Sequence, residues 1–255
     1  MGSRWVRAAG AALLVAALAP AGCDSPPASS SPSSPVSSAA ALPRVGEDLA
    51  AGPVPTRPKV SRETLDSFLT IALGTEYGDN DPTIAMWELP IVVVHLSGTL
   101  SAAGRTCATR TVADFNALSA TTKLRITSGP GDIELHVAPR SQFATIEPHY
   151  VPGNDGFAWV TWPAGTNAIG HANVLVQSTG ISARLRCHLI RRELTQAMGL
   201  LGDLGNHPTS VFTDDKDATP TQYSALDKQM IKLLYSGAIH PHDDRSAVTR
   251  AVTVS

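Results

Sequence analysis

The stretch that most constrains this chain is Cys187–Phe212, CHLIRRELTQAMGLLGDLGNHPTSVF. Its apolar residues recur at helical spacing. At about 100° per residue, Ile190, Leu194, Ala197, Met198 and Leu201 fall on one face. This predicts a helix over Ala183–Leu201 with that face in a core. Arg192, Gln196 and Gly199 gather on another side, and Glu193 lies between the two. A carboxylate carried into a core is costly, so Glu193 would need hydrogen-bond donors to stay ionised. Gln196 has an amide to offer, whereas Arg192, the adjacent residue, diverges from Glu193 on a helix.

The spacing of these polar residues matches a zinc-peptidase helix. There, H-E-x-x-H places two histidines on one side for the metal, with a Glu between them as general base. Longer versions add G-x-x-H. Here Arg192 and Gln196 stand at the two histidine positions, Glu193 at the Glu, Gly199 at the Gly, and Gly202, beside Asp203, at the third ligand. Arg does not give up its proton to bind zinc, and Gln is a poor ligand. The segment Glu193–Leu200, ELTQAMGL, resembles a bacterial domain family of unknown function grouped with the zincin-like metallopeptidases. The resemblance continues through Ser210-Val211-Phe212, Leu226-Asp227 and Leu233-Leu234-Tyr235. Gly202-Asp203 and His242-Asp243 depart from the family's Asn-Asp and Gly-Met. It spans roughly Ser61 to Asp244. It implies an α+β, zincin-like single domain, with a mixed sheet, a motif helix and a C-terminal helix, and it implies no particular activity.

The N-terminus reads as a leader. Arg4 and Arg7 precede a short apolar run, Ala8–Ala19, and Ala21-Gly22-Cys23 forms a lipoprotein cleavage box, although Pro20 stands where Leu is usual. The expectation is a signal peptide over 1–22 and a lipid on Cys23, which anchors the chain to the cell membrane facing outside the cytoplasm. An ordinary secretory signal is the alternative, and it would release the protein. Residues 23–60 form a tether; between Ser25 and Ser38 there is only Ser, Pro and Ala apart from Val36. Residues 61–255 are enough for one domain with a sizeable core. Losing Arg4 and Arg7 takes the net charge from −2 to −4, and no basic stripe appears, so nucleic acid is not an expected partner. Outside the cytoplasm Cys107 and Cys187 are expected to form a disulfide; two buried thiols are the alternative.

Elsewhere the patterns predict a helix over Glu63–Tyr77 ended by Gly78–Pro82, and a buried strand over Ile91–Leu96. A helix over Thr109–Ala120 follows. Leu124–Thr127 and Asp132–Val137 flank Gly129-Pro130-Gly131 and read as a hairpin. Strands over Phe157–Trp162 and Asn173–Gln177 come next, and Ser224–Leu234 is a closing helix.

Three functional readings follow. In the first, the cleft is a non-catalytic binding or scaffolding surface lined by Arg192, Gln196 and Asp203, with an envelope protein or peptide as partner and no cofactor. In the second, Glu193 is the general base of a metal-independent hydrolase, with Gln196 or Arg192 stabilising developing charge. In the third, His188, His207, His240 or His242 brings a metal back. Asp214–Asp217 lacks the Gly and closing Glu of an EF-hand and reads as a solvated turn. His95, His136 and His171 lie in or beside strands and read as structural. The sequence does not settle whether a Ser/His/Asp triad assembles in space.

Overall fold

The computed structural model describes residues 57–74, 82–215 and 217–255, and the backbone of Arg7–Ala9. Cys23, the tether and the expected Gly78–Pro82 turn up to Asp81 lie outside the described residues, as does the leader apart from that backbone.

One mixed sheet organises the domain. Its strands are β1 (Arg7–Ala9), β3 (Ile91–Gly98), β4 (Lys123–Thr127), β5 (Ile133–Ala138), β6 (Gly156–Trp162) and β7 (His171–Gln177), in the spatial order β1-β6-β7-β5-β3-β4. β2 (Lys59–Val60) pairs in parallel with β8 (Thr253–Val254), which closes the two ends of the domain on each other. The helices are α1 (Arg62–Ala72), α2 (Ala102–Leu118), α3 (Phe143–Ile146), α4 (Ala183–Gln196), α5 (Ala225–Leu234) and α6 (Arg245–Ala251).

The expected hairpin is not there. β4 and β5 both run parallel to β3, one on each flank, with Val92 opposite Leu124 and Leu96 opposite Leu135. The physical reason lies in β3. Its apolar run suits a strand buried among neighbours rather than one at an edge. The Gly-Pro-Gly turn therefore carries the chain from one flank of β3 to the other, and Asp132 Oδ2 ties the crossing by accepting from Val93 N at 2.7 Å. Among the described residues, β6 with β7 is the only antiparallel pair of the main sheet. β1 lies parallel to β6 along Val160–Trp162. It falls inside the expected leader, whose removal would leave β6 as an edge strand.

Helix boundaries also move. α2 begins at Ala102, capped by Ser101, which accepts from Gly104 N; its first two turns are small and polar and carry little apolar periodicity. α4 stops at Gln196 rather than Leu201, because the backbone turns at Gly199, where φ is +105°. A side chain there would be strained whatever its surroundings, and its Cβ would sit 2.3 Å from Ala85 O. α5 opens with a reciprocal cap between Ser224 and Asp227. It does not close the domain, since α6 and β8 follow.

The main core lies on the side of the sheet that carries α2, α4 and α5, and includes Val92, Val94, Leu135, Val174, Ile190, Leu194 and Phe212. A smaller aromatic core, Phe143, Tyr150, Phe157 and Trp159 with Leu175, covers part of the other side. Cys107 of α2 and Cys187 of α4 are disulfide-bonded, with Cα atoms 5.7 Å apart. No helix among the described residues is long and apolar enough to cross a membrane.

Candidate functional site

α4 is held at three points before it presents any chemistry. The disulfide fixes its first turn. In the middle, Arg191 is fully buried, donates to Asp114 of α2 at 2.7 Å and lies 4.5 Å above the ring of Tyr223. At its C-terminal end, Trp87 Nε1 donates to Ala197 O at 2.9 Å and Tyr235 Oη donates to Met198 O at 2.8 Å. These donors satisfy carbonyls that the end of a helix leaves without partners. The chain after the helix is pinned by Asp227, fully buried, whose carboxylate accepts from Ser210 Oγ, Val211 N and Ser224 N. Ser210, Asp227 and Tyr235, prominent in the sequence pattern, thus hold the shape around α4 rather than reacting.

The side of α4 carrying Arg192 and Glu193 forms the floor of a cleft of about 310 Å³. Residues 140–156 supply one wall with Arg140, Asn154, Asp155 and Gly156; Thr213, Asp214, Asp215 and Ala218 supply another, and Leu185, His188 and Leu189 rise from α4 itself. Of the four residues expected at the site, Arg192 and Glu193 line this cleft. Gln196 and Asp203 do not. They close on the guanidinium instead: Arg192 Nη2 donates to Asp203 Oδ1 at 2.6 Å, and Gln196 Nε2 donates to the same oxygen at 3.1 Å and to Gly202 O at 3.2 Å. Arg192 Nη1 donates to Thr213 O at 3.2 Å. Arg192 and Gln196 are therefore joined through one carboxylate. Burial raises the Asp203 carboxyl, and Arg192 works against that rise.

In this group Arg192 Nε and Gln196 Oε1 each lack a partner, and Glu193 goes further. It is fully buried, and neither carboxylate oxygen has a hydrogen-bond partner. Its nearest cation is Arg192, with Nε 4.0 Å from Oε1, and that Nε is itself unpartnered. Burial pushes the carboxyl up to about 8, against the pull of Arg192, so it is neutral at pH 7. The expectation that donors would keep Glu193 ionised is not met. Gly156 allows this packing, because a Cβ there would stand 2.6 Å from Glu193 Oε1 and 2.9 Å from Leu189 Cδ2. The sequence held no sign of this role, apart from an Asn154-Asp155-Gly156 turn just before a strand.

The histidines are spread out. His188 lines the cleft; its Nδ1 donates to Pro220 O at 2.8 Å, which fixes the tautomer and leaves Nε2 with a lone pair. Burial holds its pKa down to about 4. His207 lines a separate hollow with Ser61 and Ser224. His242 meets Gly165 O at 2.7 Å, and His240 N donates to Asp243. Among the described residues no three His, Cys, Asp or Glu side chains group to hold a metal ion. The sheet histidines are engaged locally: His95 Nδ1 lies 2.5 Å from Glu134, and His136 Nδ1 lies 2.7 Å from Ser97 Oγ.

Residues 61–253 match the family described as "Protein of unknown function (DUF2927)". The chain belongs to that family. No curated protein matches it. Among solved structures it is similar to a crystal structure of myroilysin, at 10% identity and a TM-score of 0.41, covering 71% of this chain and 98% of that one. A second myroilysin structure is similar at 12% identity and a TM-score of 0.38, covering 59% and 82%. Members of the family are thus of unstated function, and the chemistry here has to be read from the cleft.

Proposed function

We propose that this DUF2927 chain is an exported envelope protein, lipid-anchored through Cys23, whose zincin-like domain is a non-catalytic binding module. The observation that carries this reading is the Arg192–Asp203–Gln196 tie. Arg192 and Gln196, which the sequence pattern aligns with the two metal-binding histidines of a zinc helix, share the Asp203 carboxylate, and this supports a site without that metal chemistry. Glu193 is also held protonated at pH 7, which fits a binding floor better than a general base, since a base must be ionised to take a proton. The polar but accessible cleft is then the ligand site, and the tether lets the domain stand off the membrane.

The second reading, a metal-independent hydrolase, is favoured by one feature: Glu193 has a carboxyl raised toward neutrality in a cleft, the usual setting of a catalytic acid or base. The test separates the two. Mature protein is assayed against ester, amide and glycoside substrate panels, with its zinc content measured by elemental analysis. The binding module is expected to show no turnover that depends on Glu193 and no stoichiometric zinc. Turnover abolished by Glu193→Gln in a variant that still folds, or one zinc per chain lost with His188→Ala, would replace it with an enzyme.

A further inference from the structure

We propose that the cleft binds a primary ammonium group and that Glu193 is its buried counter-ion. The inference rests on the binding reading above and names the ligand chemistry. It begins with what the cleft has left unspent. Both Glu193 oxygens lack a donor, and His188 Nε2 presents a lone pair because Nδ1 is committed to Pro220 O. Asp214 and Asp215 are exposed at the rim. The positive charge, by contrast, is already matched. Arg192 is paired with Asp203 at 2.6 Å, and Arg140 with Asp155 at 2.9 Å. One donor remains free, Arg192 Nε. A site rich in acceptors and short of uncommitted cations fits a ligand that brings donors and positive charge.

An ammonium fits better than the alternatives of similar size. It carries three donors on a compact tetrahedral centre, and the open acceptors stand on two elements, Glu193 and His188 on α4 and Asp214 on the segment after Thr213. A guanidinium needs a coplanar pair of acceptors, and the Glu193 carboxylate is covered on one side by the Gly156 backbone. A polyol would leave the acidic charge unbalanced. Leu185, Leu189 and Ala218 offer apolar wall for the methylenes behind the ammonium, and about 310 Å³ is within the range of small-molecule sites.

The site has a proton in it, and that proton makes the proposal testable. Glu193 faces Arg192 and His188 on its own helix, Asp203 beyond the helix end, Arg140 and Asp155 on one wall and Asp214 and Asp215 on the other. In the empty site its carboxyl is protonated up to about pH 8. An ammonium needs the carboxylate, so its binding expels that proton. Alkylammonium groups keep their own charge through this range. Only the ionised fraction of Glu193 is competent, so apparent affinity should tighten about tenfold between pH 6.5 and 8 and then level off.

The experiment titrates mature protein with n-butylammonium, butyrate and n-butanol, read by calorimetry and by the methyl signals of Leu185 and Leu189. A second arm compares a short peptide bearing one lysine with the same peptide bearing norleucine. Expected are butylammonium binding without butyrate or butanol binding, a proton released per ligand below pH 8, and the tenfold gain with pH. Glu193→Gln should weaken binding at pH 8 at least tenfold and flatten its pH dependence, and Asp214→Asn, on the exposed rim, should weaken it by a smaller factor. Lysine peptide binding more tightly than butylammonium assigns the ammonium to a protein side chain; equal or weaker binding assigns it to a free amine. Equal binding of butyrate, a pH-independent affinity or an unaffected Glu193→Gln variant overturns the inference while leaving a binding cleft in place. Glu193-dependent turnover instead brings down the binding reading itself.

Discussion

At the scale of single residues, Glu193 carries a buried carboxyl that no donor offsets. The folded protein holds its proton until about pH 8, whereas the unfolded chain releases it near the ordinary value of 4.5. Its contribution to stability is therefore fully present below about pH 4.5 and is lost as pH rises toward 8. Gln mimics the protonated acid in shape and has no proton to lose. Glu193→Gln is expected to raise stability at pH 7 by on the order of 1–3 kcal/mol. The gain should widen between pH 5 and 8 and vanish near pH 4. Denaturant melts of both proteins across that range measure it; a loss of stability at pH 8 would mean that the carboxylate has partners when ionised. His188 acts in the opposite sense. Its folded pKa, held down to about 4, lies below the ordinary 6.5, so its contribution is present above about 6.5 and drains away as pH falls toward 4. Between about pH 4.5 and 6.5 the two effects run in opposite directions and offset each other, so the pair favours the fold most across that range.

At the scale of elements, α4 shows what the sequence carried and what it did not. Its existence, its buried face of Ile190, Leu194, Ala197 and Met198, and its polar flank were all legible from spacing alone. The pairing of Cys107 with Cys187 was expected from the cysteine count of an exported chain, with two buried thiols as the alternative, and the bond is formed. The partners of the flank were not legible, because Gly156 and Thr213 reach Glu193 and Arg192 only through the tertiary fold. The hairpin expectation failed for a related reason. Gly129-Pro130-Gly131 marks a turn, but whether a turn reverses a strand or carries it across a neighbour depends on what β3 needs on each flank. Ser210, Asp227 and Tyr235 stood out as a pattern, and only their contacts reveal them as clamps on α4 and its exit. The disulfide is the covalent member of that set. It joins residues 80 apart in sequence, and its loss is expected to cost about 2–4 kcal/mol. A Cys107→Ala, Cys187→Ala double variant should melt at lower temperature than the oxidised protein. Reductant should lower the melting temperature of the wild type and leave that of the variant in place; equal melting of all three would relieve the bond of any stabilising role.

At the scale of the whole molecule, the anchor and the cleft belong to one functional argument. The domain starts to pair at Lys59, where β2 meets β8, and the proposed tether precedes that point. The expected lipid on Cys23 is the feature that converts the cleft from a soluble binder into one held near a surface. A single acyl chain gives only marginal membrane attachment, whereas multiple chains anchor stably. Cys23→Ser, which blocks lipid attachment and leaves Cys107 and Cys187 untouched, is expected to move the protein from the membrane fraction to the soluble exported fraction. Its melting temperature should match that of the wild-type domain, since Cys23 lies well before β2. Radiolabelled palmitate should enter the wild type and not the variant. Membrane retention of an unlabelled Cys23→Ser protein would assign the attachment to a partner instead of a lipid. A wild type found wholly soluble and cleaved before Cys23 would make the leader an ordinary secretory signal.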